Sequence, residues 1–379
     1  MQHDSKRQVE LIKQVLRQGK KPIGFLLGAG CPVAIKVGPK GKLKSLIPEI
    51  SDLTNQIRGE FKKTDLFQPI ELVFSQLADD GKKNANIEDV LTKVRSLKQV
   101  CGKETVRGFK PKVLDQIEEK VSLEIVKVVD KILPDNNTPY HKIASWAGSI
   151  KRQFPIQVFS PNYDLLLEQA LDEIAVPYFD GFVGSRIAFF DSSSMEVDEL
   201  PSRWVRLWKL HGSINWRLSE DGVVCRAFPI DKDQIPLIHP SHLKYEESRR
   251  MPYLAMIDRL RAFNKMSSAV LIICGYSFRD DHINEAIIES LKGNPTCQVF
   301  ALLYGDLEKY QEAIKLASSR GNLTLLASES AVIGTKREKW APSQSGVLTP
   351  FDLGDFAKLG ALIEQLIGDR TDLGERQNA

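Results

Sequence analysis

The stretch AVLIICGYSFRDD, residues 269–281, decides the fold. Six residues pass without a charge or an amide, and then Gly275 breaks the run. A run of that length reads as a β-strand buried on both faces, as in parallel sheets. A helix is predicted directly after it, over 280–292. The same order recurs upstream. PIGFLL (22–27) is a predicted strand that ends in Gly28-Ala29-Gly30, and PIQVF (155–159) is a strand followed by a helix over 163–174. Downstream, strands at 297–304 and 322–327 flank a helix over 306–319, and a loop rich in Ser and Lys follows. Further helices are predicted over 6–18, 252–265 and 353–367. The region 180–250 is mixed, with short strands at 204–210 and 222–227. Strands alternating with helices predict an α/β fold, a doubly wound Rossmann-like parallel sheet.

Residues 46–150 break this alternation. Apolar positions recur there at three- and four-residue spacing over 68–78, 86–100 and 109–133, and 139–150 adds another helix. The expected organisation has four parts. Residues 1–35 begin the Rossmann-like domain, 36–150 form a large helical insertion domain, 151–330 complete the catalytic domain, and 331–379 supply a C-terminal loop and helix.

Composition excludes several classes. The chain has 379 residues, 42% of them apolar, and a net charge of +3. That charge is too small to require nucleic acid or a membrane as a partner. The five cysteines, Cys31, Cys101, Cys225, Cys274 and Cys297, form no CxxC pair. Neither a disulfide framework nor a four-cysteine zinc site is expected. The first residues lack the apolar core of a signal peptide, and no apolar run approaches the ~20 residues of a membrane helix. A soluble, cytoplasmic protein is the expectation.

Four turns carry chemistry, and each follows a predicted strand. Gly28-Ala29-Gly30 lets backbone approach a pyrophosphate, although the full GxGxxG spacing is absent. In Ser160-Pro161-Asn162-Tyr163-Asp164, Asn162 offers paired donor and acceptor groups to a ribose hydroxyl or a water, and Asp164 can accept from a carboxamide. In Leu210-His211-Gly212-Ser213, a neutral imidazole can take a proton near neutral pH. In the turn after Cys274, Gly275 permits close approach and Ser277 offers a hydroxyl. Each has a plain structural reading as well: tight turns for the glycines, helix caps for Asn162, Asp164, Asp280 or Asp281, a satisfied core residue for His211. Their common placement favours a shared site, because ligands of open parallel sheets sit at the carboxyl ends of strands.

The order GAG, N-x-D, HG and G-x-S resembles the sirtuin family. FSPNYDLLLE (159–168), KLHGSINW (209–216) and GYSFRDDHINE (275–285) resemble in particular the bacterial sirtuin-like NADases of antiphage defence. The resemblance implies NAD as substrate and a role for each residue. Gly28, Ala29 and Gly30 would bind the pyrophosphate. Asn162 would orient the nicotinamide ribose or the attacking water, and Asp164 would meet the carboxamide. His211 would be the base, and Gly275 and Ser277 would hold the adenosine side. The deacylase pattern GIPDFR is missing, with only LIPE (46–49) faintly similar, and zinc is not expected. NAD hydrolysis to nicotinamide and ADP-ribose is therefore expected ahead of deacylation, with a non-catalytic NAD or ADP-ribose sensor as the rival from another class. No GxxxxGK[ST] sequence is present, so control is expected from homo-oligomerisation or from a separate partner such as a HerA-type ATPase.

Three other features have plainer explanations. The loop KVGPKGKLK (36–44) reads as a solvated loop ahead of a phosphate cover. Trp204, Trp208 and Trp216 around His211 read as core packing. His239 and His242 lack a third metal ligand.

Overall fold

The computed structural model describes residues 3–39, 41–135, 137–196, 200–227, 235–236, 238, 252–342 and 350–368. Lys40, His239, His242 and the tail from 369 onward lie outside the described residues.

Nine strands form the central sheet: β1 (Ile23–Leu27), β2 (Gln157–Ser160), β3 (Tyr178–Phe179), β4 (Val205–Lys209), β5 (Val270–Cys274), β6 (Gln298–Leu302), β7 (Leu323–Leu326), β8 (Ser330–Ile333) and β9 (Lys336–Lys339). Their order across the sheet is β9-β8-β7-β6-β5-β1-β2-β4-β3. The seven strands from β7 to β3 pair in parallel. The expected doubly wound α/β sheet is what the chain forms. β1 sits between β2 and β5, so the chain winds outward from it in both directions. That is the switch point at which such sheets open a crevice.

Both faces of the sheet are covered, which is why its strands are apolar at nearly every position. Phe25, Leu27, Val158, Leu207, Ile272 and Cys274 point into one core, and Leu26, Phe159, Trp208, Leu271 and Ile273 into the other. Helices Tyr253–Lys265, Asp281–Gly293 and Gln311–Ala317 cover the second face. The first is covered by Ser5–Leu16, Pro139–Gly148 and Phe356–Gly368, and its core continues without a break into the helical block. In that block Ile57, Phe61, Val90, Ile117 and Val121 are fully or almost fully buried. The inserted helices therefore share a core with the sheet.

Three local differences from the sequence reading have physical causes. The Ser/Lys-rich loop after 327 is the β8–β9 hairpin, antiparallel on the sheet edge. Gly334 and Thr335 both have positive φ (57° and 71°), the conformation that turns a two-residue hairpin with the strand twist. In place of the expected loop, Lys36–Val37 pairs with Lys44–Ser45 in a second small hairpin. The helix expected over 306–319 is a 3-10 turn, Leu307–Lys309, followed by Gln311–Ala317. A further four-stranded antiparallel sheet, residues 182–183, 188–190, 216–218 and 224–226, lies within the mixed region. Among the described residues, no helix is long and apolar enough to cross a membrane.

Phe25 is fully buried at the centre of β1, edge-on to Trp146 with ring centroids 5.7 Å apart. Phe25→Ala is expected to cost about 3–5 kcal/mol in urea unfolding. Leu43→Ala, at a residue 57% exposed, should stay within about 0.5 kcal/mol.

Candidate active site

The four turns converge because their strands are neighbours. Leu27 is in register with Cys274, Leu26 with Phe159, and Ser160 with Lys209. The residues that follow these strand ends therefore line one edge of the sheet, at the switch point. Asn162 and His211 lie on it together with Gly28–Gly30 and Gly275.

Glycine at 28, 30 and 275 is required by contact between two backbones. A Cβ on Gly28 would stand 2.4 Å from Gly275 O and 2.7 Å from Tyr276 Cα. One on Gly30 would stand 2.8 Å from Gly275 Cα, and one on Gly275 would stand 2.6 Å from Cys31 N. Gly275 also has φ +68°, where a side chain is strained. The two turns are laced by Gly28 N–H to Cys274 O (2.9 Å) and Gly30 N–H to Gly275 O (2.8 Å). These two donors are thus committed within the protein in this conformation. Phosphate binding through them requires the clasp to open, whereas Ala29 and Ser277 are exposed beside it.

Asn162 joins the next turn to this clasp. Its Nδ2 donates to Gly28 O at 3.1 Å, and its backbone N–H donates to Ser160 Oγ at 3.2 Å. The Ser160 hydroxyl in turn donates to Leu27 O at 3.0 Å. The side chain is half-buried, so it fixes the turn and still reaches the crevice. The capping reading does not describe it, since the helix starts only at Leu166.

His211 pairs with Asp280, which the sequence marks only as a helix cap. Nε2 of His211 lies 2.7 Å from Oδ2 of Asp280, with the two side chains 15% and 7% exposed. Asp280 also caps helix Asp281–Gly293, its Oδ1 accepting from the N–H groups of His282 and Ile283. Burial pulls the His211 pKa down, but the Asp280 carboxylate 2.7 Å away, with Glu88 behind it, raises it above the usual histidine value. Burial likewise opposes the charge of Asp280, yet His211 and the helix N–H groups hold its carboxyl below the usual range.

Asp164 is placed differently from His211. It is 6% exposed, and its Oδ1 accepts from Leu166 N–H at 3.1 Å, so it shapes the turn into the helix. Its side chain lines a small cavity with Leu27, Tyr140, Ser160, Leu167, Glu168, Leu207 and Lys209. The Lys209 ammonium donates to Asp164 O and lies 3.4 Å from Glu168. Burial raises the pKa of both carboxyls, against the pull of Lys209. The Tyr140 hydroxyl is buried there without a hydrogen-bond partner.

The helical block supplies one wall. Tyr163 OH donates to Glu88 Oε1 at 3.1 Å, and Arg95 donates to Ile238 O at 2.9 Å, beside the bridge of Ile238 to Gly212. Glu88 and Lys209 were not among the sequence candidates. Glu88 sits in an amphipathic helix among many similar carboxylates, and only the fold brings it near His211. The other features resolve as packing. Trp208 and Trp216 are buried among Phe179, Phe182 and Tyr253. Cys31, which follows the glycine turn, is fully buried, and burial raises its pKa far above the range of a reactive thiol. Lys36 bonds Ser45 Oγ across its hairpin. Among the described residues, no group of three or more His, Cys, Asp or Glu side chains is arranged to hold a metal.

Two expectations follow. Gly28→Ala should destabilise the protein by about 1–3 kcal/mol in urea unfolding, because backbone must move to admit the methyl group. The His211–Asp280 pair sets a pH window. The raised histidine contributes stability below its unfolded pKa and loses it as pH rises through the folded value. The depressed aspartate contributes above its own unfolded pKa and loses it in acid. The stability gap between wild type and Asp280→Asn should thus be widest between about pH 4 and about pH 6.5, and shrink as pH rises through the raised histidine value or falls through the depressed aspartate value. A flat gap, read by thermal unfolding through both values, would exclude a charged pair.

Comparison with known proteins adds a family-level likeness. Residues 157–323 match the family model described as "SIR2-like domain", a segment that holds Asn162, His211, Gly275 and Ser277 and is less than half of the chain. No curated protein matches. One solved structure, described as "Structural Basis for the Mechanism and Regulation of Sir2 Enzymes", is 11% identical and superposes with a TM-score of 0.39, covering 95% of this chain and 98% of that one. The segment bearing the Asn162, His211 and Gly275 turns is thus similar to sirtuin-type domains.

Proposed function

We propose that this chain hydrolyses NAD at the nicotinamide–ribose bond, giving nicotinamide and ADP-ribose. The observation that carries the reading is the convergence of Asn162 and His211 on one switch-point crevice, beside Gly28–Gly30 and Gly275. The SIR2-like match over that segment supports NAD as the substrate.

The chemistry suits these side chains. Nicotinamide bound to ribose is already cationic, so it leaves without a general acid. The oxocarbenium-like ribose left behind needs a fixed position and an aimed nucleophile. Asn162 would orient the ribose or the attacking water from a turn locked to Gly28. His211 would accept a proton from that water or from a ribose hydroxyl. Ser277, exposed on its turn, would meet the adenosine side, and Asp164 would act through the shape of the Asn162 turn. No step asks for zinc.

An enzyme of this kind drains a shared cofactor, so its activity must be restrained. Within the proposal, NAD depletion serves antiphage defence, and release of activity comes through self-assembly or a partner such as a HerA-type ATPase. The committed N–H groups of Gly28 and Gly30 fit a resting state that must open. The same observation favours the rival reading, a sensor that binds NAD or ADP-ribose without turnover.

The test is nicotinamide release from NAD by the purified protein, alone and with a candidate partner. His211→Ala and Asn162→Ala, at equal folding, should each lower turnover by at least ~10²-fold, the usual scale of base assistance. Full activity in His211→Ala removes that residue from the mechanism. NAD binding without nicotinamide release in every condition selects the sensor.

A further inference from the structure

We propose that Asp280 is a positioning residue for His211, fixing which imidazole nitrogen faces the crevice and keeping a negative charge beside it. The proposal rests on the reading of His211 as the base.

Both carboxylate oxygens have a task. Oδ1 accepts from His282 N–H at 2.9 Å and Ile283 N–H at 3.1 Å, while Oδ2 meets His211 Nε2 at 2.7 Å. A carboxylate that accepts several donors at a helix N-terminus stays ionised. An ionised acceptor at Nε2 keeps the proton on that nitrogen when the ring is neutral, so the free lone pair is on Nδ1. In the reaction the water proton passes to Nδ1 as its oxygen bonds to the ribose C1′ and the bond to nicotinamide breaks. Nicotinamide departs with that electron pair, and Asp280 balances the charge on the ring until the proton returns to solvent.

Helix capping alone does not explain how Asp280 is held. The turn before it puts Phe278, fully buried, at φ +59°. A side chain there is strained, and such strain persists only where neighbours enforce it. The neighbours are evident. Asn284 Nδ2 donates to Phe278 O at 2.9 Å, and the Tyr276 hydroxyl bridges Asn284 Oδ1 (2.9 Å) and Asp280 O (3.1 Å). The Tyr276 and Phe278 rings pack 4.9 Å apart. A cap needs only an extended residue with an oxygen, which an unstrained turn supplies equally well. The strained turn brings the second oxygen to within 2.7 Å of the imidazole Nε2.

Among the described residues, the other charged groups around the pair are few. Glu88 acts on His211 from the helical block and bonds the Tyr163 phenol, which Arg95 also influences. His282 acts on Asp280 from the capped helix. Glu88 adds to the effect of Asp280 on the ring, and Asp280 is the carboxylate in contact with it.

The decisive variant is Asp280→Asn, because asparagine still caps the helix but removes the charge. Nitrogen-resolved NMR on labelled histidine, assigned with His211→Ala, reads the ring directly. In the wild type the neutral ring should carry its proton on Nε2. In Asp280→Asn, His211 should titrate at lower pH. The acid limb of nicotinamide release should move down with it, and kcat should fall by on the order of 10²–10⁴-fold with KM for NAD little changed. A proton on Nδ1 in the wild type overturns the proposal whether or not any variant folds. An unmoved titration and an unmoved acid limb in Asp280→Asn also overturn it. If His211 titrates lower in Asp280→Asn and neither protein releases nicotinamide under any condition, the positioning of the ring stands and the reading as an NAD hydrolase falls.

Discussion

Everything at the crevice depends on two backbones touching. The turns after β1 and β5 approach so closely at Gly28, Gly30 and Gly275 that no Cβ fits between them. That contact draws the carboxyl ends of the two central strands together and sets the heights of the turns around it. Asn162 is anchored to the clasp by its bond to Gly28 O. Asp280 is carried by the turn that starts at Gly275, and His211 is tied to Asp280. A side chain at any of the three glycines would therefore disturb residues it never touches.

Most polar groups buried this deeply are paired, and the pairing shapes the site. Lys209 answers the carboxylate of Glu168 and a carbonyl below the Asn162 turn. His211 answers Asp280, and Asp280 answers its helix. Each group holds another in place around Asn162 and His211, while Ala29 and Ser277 are exposed beside the clasp. The helical block closes one side through Glu88 and Arg95.

Much of this was legible in the sequence for identifiable reasons. A strand buried on both faces has no polar alternation, and AVLIIC announces that directly. A glycine that ends such a strand is visible as a break, so all four turns could be marked. What sequence could not supply is distance across the fold. Asp280 was visible as a cap, yet its second oxygen has meaning only beside His211, 69 positions earlier in the chain. Glu88 was hidden for the same reason. The β8–β9 hairpin was missed because Ser, Lys and Glu on an edge strand look like a loop, and its turn relies on a Thr at positive φ. The small Lys36–Val37 hairpin is too short to show a period of two.

The position of β1 in the chain has a consequence for biosynthesis. Its residues leave the ribosome well before those of its partners. Ser160 reaches Leu27 across 133 positions, and the contact of Cys31 with Cys274 spans 243. Until residue 281 or so has emerged, the glycine clasp has only one half and His211 has no partner. A nascent or truncated chain therefore carries the Asn162 and His211 turns without the crevice that aligns them. Competence of the site arrives in one late step, when the central strand finally gains its second neighbour.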